Sequence, residues 1–250
     1  MNLKESILKS VKAGKYALIE EWCKNHDIDN FKINSSCEIE MSNKYPFIEL
    51  FFNDYDELPD YINIANHQKL CINLESERAN SIKSFRGFPK ECGSVMIDGC
   101  NGTIPELKIR CNSGFRLIDV DITKPFEVEM CGEYRGMATL HHCNIKNLKN
   151  LKITNCNNIQ IIFSPFFDKI AEKILNDSHI NYNKGLDERH FSDSTCAPKK
   201  VKKVIEKFFS KFLDYDKLDM FKFSIVKDGI DRYYLVEKYK DEWYVFKTRF

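Results

Sequence analysis

The strongest constraint in this chain is a spacing. "NLKNLKITNCNNIQIIF", residues 147 to 163, fits L-x-x-L-x-L-x-x-C with Leu148, Leu151, Ile153 and Cys156, and Ile159 continues the series. Shorter versions recur upstream. "SVMIDGC" places Val95, Ile97 and Cys100 at the same relative positions, and "PELKIRC" supplies Leu107, Ile109 and Cys111. "PFEVEMC" supplies Phe126, Val128, Met130 and Cys131, and "ATLHHC" supplies Leu140 and Cys143. Weaker copies precede them in "LPDYINI" and "KLCINLE". Successive cores lie about ten to thirteen residues apart, so every second one recurs at about twenty-one to twenty-three. Apolar residues at alternate positions read as short strands. A fixed period of this size predicts a solenoid, in which each coil buries its face on the next. The cysteines would stack inside as a ladder of small side chains. Pro59, Pro89, Pro105 and Pro125, with Gly87, Gly93 and Gly99, would mark the corners. A plain antiparallel sheet is the competing reading.

The spacing resembles that of the leucine-rich-repeat superfamily. "SFRGFPKECGSVMIDGC", residues 84 to 100, looks especially like the short repeats of uncharacterised proteins of large tailed phages. The resemblance covers roughly residues 58 to 163 and is imperfect, because the ladder Asn or Cys drifts and several strands lack Leu. Such families mostly bind other proteins, and that is what the resemblance implies here. Its phage side implies an inhibitor of a host or defence protein.

The flanks read differently. Residues 3 to 25 carry Leu3, Ile7, Val11, Leu18 and Trp22 near a 3.6 period and predict a helix that Gly14 bends. "FKINSSCEIEM" alternates Phe31, Ile33, Cys37, Ile39 and Met41 as one half-buried strand, and "PFIELFF" follows as a second. Residues 1–57 are therefore expected to form an α/β cap, because exposed solenoid ends pair with other chains. The repeat solenoid would occupy 58–165. Ser164-Pro165 starts a helix whose Ile170, Ile174 and Leu175 close the last coil. With the polar stretch after it, this helix makes a capping-helix-and-linker segment over 166–199. Residues 200–250 would be a helix, "VKKVIEKFFSKFL", followed by a three-stranded meander with turns at Asp228-Gly229 and Lys240-Asp241. The expected fold is thus α+β: a leucine-rich-repeat-like β-solenoid, capped, with a small C-terminal α+β unit.

Ten cysteines would suit a disulfide scaffold. Most sit in apolar, strand-like segments, no C-x-x-C pair occurs, and the first residues read as an amphipathic helix and not as a signal peptide. Free, buried thiols are expected, in a cytoplasmic protein with no membrane span and no cofactor; if the phage resemblance holds, that is the host cytoplasm. Charge is uneven: residues 1 to 60 hold five more acids than bases, and 197 to 250 five more bases than acids.

Outward strand positions are the ones a solenoid lines up. Lys108 and Arg110, Glu127 and Glu129, then Lys152 form one row whose opposite charges satisfy each other. A second row, Met96, Asp98, Asp119, Asp121, His141 and Gln160, is less balanced. Three readings stand for it: an acidic patch that recognises a protein partner, a divalent metal site, and a register off by one that leaves the Asp residues at turns. His190 and Cys196 lie close in sequence but in a polar loop with nothing to build an oxyanion hole, so no catalytic pair is assigned. Lys199, Lys200, Lys202, Lys203 and Lys207, with Lys211, would face phosphate backbones, and Tyr233, Tyr234, Trp243 and Tyr244 would stack bases if exposed. No Walker loop, G-x-G-x-x-G, G-x-S-x-G or H-E-x-x-H motif is found. The expected function is non-enzymatic binding of a protein through the second row, with nucleic-acid binding through the basic helix as the alternative.

Overall fold

The alternating cores fold as strands stacked coil on coil, giving a β-solenoid of about four turns in a mixed α+β chain. The computed structural model describes residues 3–44, 46–51, 57–75, 82–132, 136–178 and 195–248.

Helix α1 (Leu3–Asn25) buries Ile19, Trp22 and Cys23. It stops where Asp27 adopts a φ of 52° and the Ile28 amide donates to the Cys23 carbonyl at 2.9 Å. That geometry satisfies a last-turn carbonyl that water would otherwise have to reach. The stretch expected to be one strand is a hairpin of β1 (Phe31–Ile33) and β2 (Ile39–Met41), paired antiparallel. Asn34 makes the turn: its Oδ1 accepts from the Ser36 and Glu38 amides at 2.9 and 3.0 Å.

From there the chain coils. On one side, β3 (Phe47–Phe51), β4 (His67–Glu75), β5 (Glu91–Thr103) and β6 (Leu107–Asp121) run parallel. The second side is built by the first half of β6, β7 (Phe126–Met130) and β9 (Leu151–Thr154), while β8 (Met137–His141) and β10 (Asn158–Ile162) continue the first. Parallel pairing throughout the coils overturns the antiparallel reading. Two inward rungs cross the first side: Ile48, Ile72, Val95, Phe115, Ala138 and Ile159, then Leu50, Leu74, Ile97, Leu117, Leu140 and Ile161, all buried. The second side contributes Phe126, Val128, Leu151 and Ile153, and Phe115 meets Phe126 across the coil with ring centroids 5.5 Å apart. Burial of this order supplies about 1.5–3 kcal/mol per large side chain, which is why alternation alone can set the register.

The corners differ in part from expectation. Gly93 and Gly99 lie inside β5, at the two places where its register with β6 shifts and the long strand rounds a bend. Gly87 is a true corner, with φ 84° and its carbonyl accepting from the Ile64 amide at 2.7 Å. Nor do the cysteines form one ladder. Cys92 and Cys111 are register partners, and the Cys131 amide donates to the Cys111 carbonyl. Cys143 and Cys156 occupy other corners, their thiols against the carbonyls of His141 and Asn158. All nine described cysteines are free. Burial pushes the Cys143 thiol up to about 12 and the Cys156 thiol up to about 11.

Beyond the coils come α2 (Pro165–Ser178), β11 (Thr195–Cys196), α3 (Lys199–Phe209), β12 (Met220–Lys227), β13 (Ile230–Tyr239) and β14 (Glu242–Thr248). The polar stretch between α2 and β11, including His190, lies outside the described residues. Strand β12 pairs parallel with β10, so the meander extends the solenoid sheet. Its turns place Asp228 and Gly229, then Lys240 and Asp241, at positive φ, the twist that two-residue hairpins favour. Phe167 of α2 joins the helices to the sheet: it contacts Phe208 and Phe209 of α3 and Phe221 and Phe223 of β12.

Candidate functional site

The outward positions of the first side form two rungs of their own. One runs Glu49, Asn73, Met96, Arg116, Thr139, Gln160 and Lys222 from β3 to β12. The other runs Phe51, Glu75, Asp98, Ile118, His141 and Ile162. Met96 and Gln160 therefore share a rung, and Asp98 and His141 share the next. A shallow groove of about 270 Å³ follows the first rung, with Met96, Arg116, Met137 and Thr139 in its walls. The helices make their main contacts elsewhere, α1 with β1 and α2 with α3 and β12.

Asp119 and Asp121 leave this row, and the reason is backbone geometry. Asp119 has a φ of 49°, His142 of 52° and Phe163 of 44°, so β6, β8 and β10 each meet the corner with a left-handed residue. A single such residue breaks the two-residue alternation, and every side chain after it changes face. Asp119 is thereby set against His142, Oδ1 to Nδ1 at 3.0 Å, and not against His141. Asp121 bridges to Asn144 beyond the corner. Asp119 thus lies at a bend inside β6.

The corner gathers a small aromatic and ionisable cluster. The His141 and His142 rings stack at 4.2 Å, Phe163 lies 5.5 Å from His142, and Tyr233 packs edge-on to Phe163 at 5.8 Å. Burial, with the neighbouring His142 second, holds His141 below the ordinary histidine value, while Asp119 and Asp98 pull the other way. His142 and Phe163 were not singled out from sequence; the one available hint was the doubled histidine. Among the described residues, no three His, Cys, Asp or Glu side chains converge closely enough to hold a metal ion.

The other charged row is paired as its sequence suggests. Lys108 lies 3.4 Å from Glu127, and Arg110 reaches Glu91 at 2.8 Å and Glu129 at 3.3 Å. These pairs are exposed enough that each contributes about 0–1 kcal/mol.

On α3, Val201, Ile205, Phe208 and Phe209 are buried and the lysines lie on the opposite side. Two of the lysines are occupied: Lys200 pairs with Asp177 at 3.2 Å, and the Lys202 ammonium donates to the Asp241 carbonyl at 2.7 Å. Lys199, Lys203 and Lys207 are exposed. Tyr234 and Trp243 are fully buried, Trp243 donating to the Tyr215 hydroxyl at 3.0 Å, so neither presents a face to a base. Cys196 is exposed in β11, and His190 lies outside the described residues. Among the described residues, no helix is long and apolar enough to cross a membrane. A scan against family models found no match, and searches of curated proteins and of solved structures found none either.

Proposed function

We propose that this chain is a non-enzymatic binding protein that receives a protein partner on the two outward rungs of its first side. One contrast carries the reading. The Lys108–Glu127 side neutralises its own charge, whereas the opposite side aligns Met96, Ile118 and Met137, all partly exposed, among Asp98, Arg116 and His141. Apolar side chains ringed by polar ones are the anatomy of a recognition surface. A rigid sheet also lowers the ordering cost of association. Met96, Asp98, His141 and Gln160 remain the proposed contacts, with Arg116 and Ile118 added; Asp119 and Asp121 would act at the margin.

The finer reading is a leucine-rich-repeat-like solenoid, capped by residues 1–57 and by α2, that acts in a host cytoplasm as an inhibitor of a host or defence protein. It rests on the L-x-x-L-x-L-x-x-C spacing and on residues 84 to 100 alone. Nucleic-acid binding through Lys199, Lys203 and Lys207 is the second reading, favoured by their exposure on one side of α3.

The test is capture of the tagged chain's partners with and without nuclease, using wild type, Met96→Glu with Arg116→Glu, and Lys203→Glu with Lys207→Glu. A stoichiometric protein that survives nuclease and is lost only from the first variant supports the reading. Loss only from the lysine variant, with affinity falling steeply as salt rises, overturns it for nucleic acid.

A further inference from the structure

Helix α1 carries a second surface. Ile7, Val11 and Leu18 are 55 %, 65 % and 47 % exposed; the buried Ile19 and Cys23 lie on another side of the helix, and the buried Trp22, one turn after Leu18, ends the same stripe. With Gly14 the three exposed residues fall at steps of four, three and four residues, the a/d seam of a coiled coil. Residues 4 to 14 are exposed throughout. Gly14 lies in mid-helix, where glycine is disfavoured, and a Cβ added there would meet nothing within 4 Å. Among the described residues nothing packs against it.

We propose that α1 pairs antiparallel with α1 of a second copy of this chain. The seam is self-complementary in one register. If Ile7 lies opposite the partner's Leu18, Val11 lies opposite the partner's Gly14, and Lys4 opposite the partner's Glu21. Each layer then joins an a position to a d position, as antiparallel pairs do. The isopropyl group of Val11 fills the space that glycine leaves. Opposite charges close both ends of the seam, and the two-fold axis repeats every contact. A parallel pair would oppose Lys4 to Lys4, Glu21 to Glu21 and Gly14 to Gly14, so the sequence discriminates against it. The body of each protomer already holds its helix through Trp22, so little ordering is lost on association.

Sedimentation velocity from about 1 to 200 µM tests it on the full chain. The wild type is expected to pass from monomer to dimer in that range, typical of a small apolar seam. Leu18→Lys should raise the midpoint by at least about 30-fold, with the far-UV spectrum and melting temperature unchanged because the position faces solvent. Lys4→Glu or Glu21→Lys alone should weaken the dimer by about 3–10-fold, and the two together should restore it. A dimer indifferent to the single charge reversals overturns the register. A monomer at every concentration overturns the pairing. So does a monomer that co-sediments with phosphatidylserine vesicles through Ile7 and Leu18, which would assign the seam to a lipid surface.

Discussion

Ser164 is where the corner beside the proposed recognition face can be tested most sharply. It is 2 % exposed, and its hydroxyl oxygen accepts from the Cys143 amide at 3.0 Å. The same hydroxyl lies 3.0 Å from the Ile162 carbonyl and 3.2 Å from that of Leu140, and donates between them. Cys143 is itself fully buried, so no water can replace the acceptor. In Ser164→Ala the amide is orphaned, at a cost of about 1–3 kcal/mol. The deleted oxygen is too small for a cavity term to matter much. For a chain of this size the loss corresponds to a melting temperature about 3–10 °C lower. Urea titration should show a lower midpoint at an unchanged slope, and hydrogen exchange should quicken at the Cys143 amide beyond the global change. Ser113→Ala is the control: that hydroxyl donates to the Gly93 carbonyl at 2.9 Å from an exposed position, and its removal should cost under about 0.5 kcal/mol. A Ser164→Ala loss no larger than the Ser113→Ala loss would refute the orphaned-amide reasoning.

Two glycines should respond oppositely to alanine. Gly14→Ala meets open space and should raise stability by about 0.4–1 kcal/mol in thermal melts. Gly87→Ala combines a φ of 84° with a Cβ 2.5 Å from the Ile62 carbonyl oxygen, and should give insoluble or unfolded protein on expression. For pH, His141 is held below its ordinary value in the folded chain, so on acidification the unfolded chain takes up that proton first. Stability from this group is complete above about pH 6.5 and falls as pH drops below it. Urea midpoints of His141→Gln should show a flatter slope between about pH 7 and 5. Thiol labelling at about pH 8, read by peptide mapping, should modify exposed Cys196 first and half-exposed Cys71 and Cys131 more slowly. Cys23, Cys143 and Cys156, whose thiols burial raises to about 12, 12 and 11, should react only on unfolding.

What could be read from sequence followed from how much burial enforced it. Val95, Ile97, Leu117 and Leu140 alternate because each must face inward, and that alternation exposed the coils before any coordinates. The same logic misled at residues 31 to 41, where a turn centred on Asn34 preserves the apolar parity of both flanking strands and imitates one continuous strand. It failed again at Asp119, because a left-handed residue is invisible to a count of apolar positions when the residue is neither Gly nor Asn. Hence the spacing puts Met96, Asp98, Asp119, Asp121, His141 and Gln160 in one row, whereas Asp119 pairs with His142 past the corner. The meander turns were legible for the opposite reason: Asp228-Gly229 declares its φ in its composition.

The outward rung from Glu49 to Lys222 also has a metric. Neighbouring strands lie about 4.8 Å apart, so the side chains form a scale with that graduation. An extended segment laid along it offers same-side residues every ~6.6 Å, so it drifts about 1.8 Å per strand and is past half a graduation by the third strand. A helix advances about 5.4 Å per turn, drifts about 0.6 Å per strand and reaches half a graduation only at the fifth strand. Under the proposed function the coil spacing would grade ligands by their pitch, and a helix offering one contact per turn would stay within about 2 Å of the scale from Asn73 to Thr139.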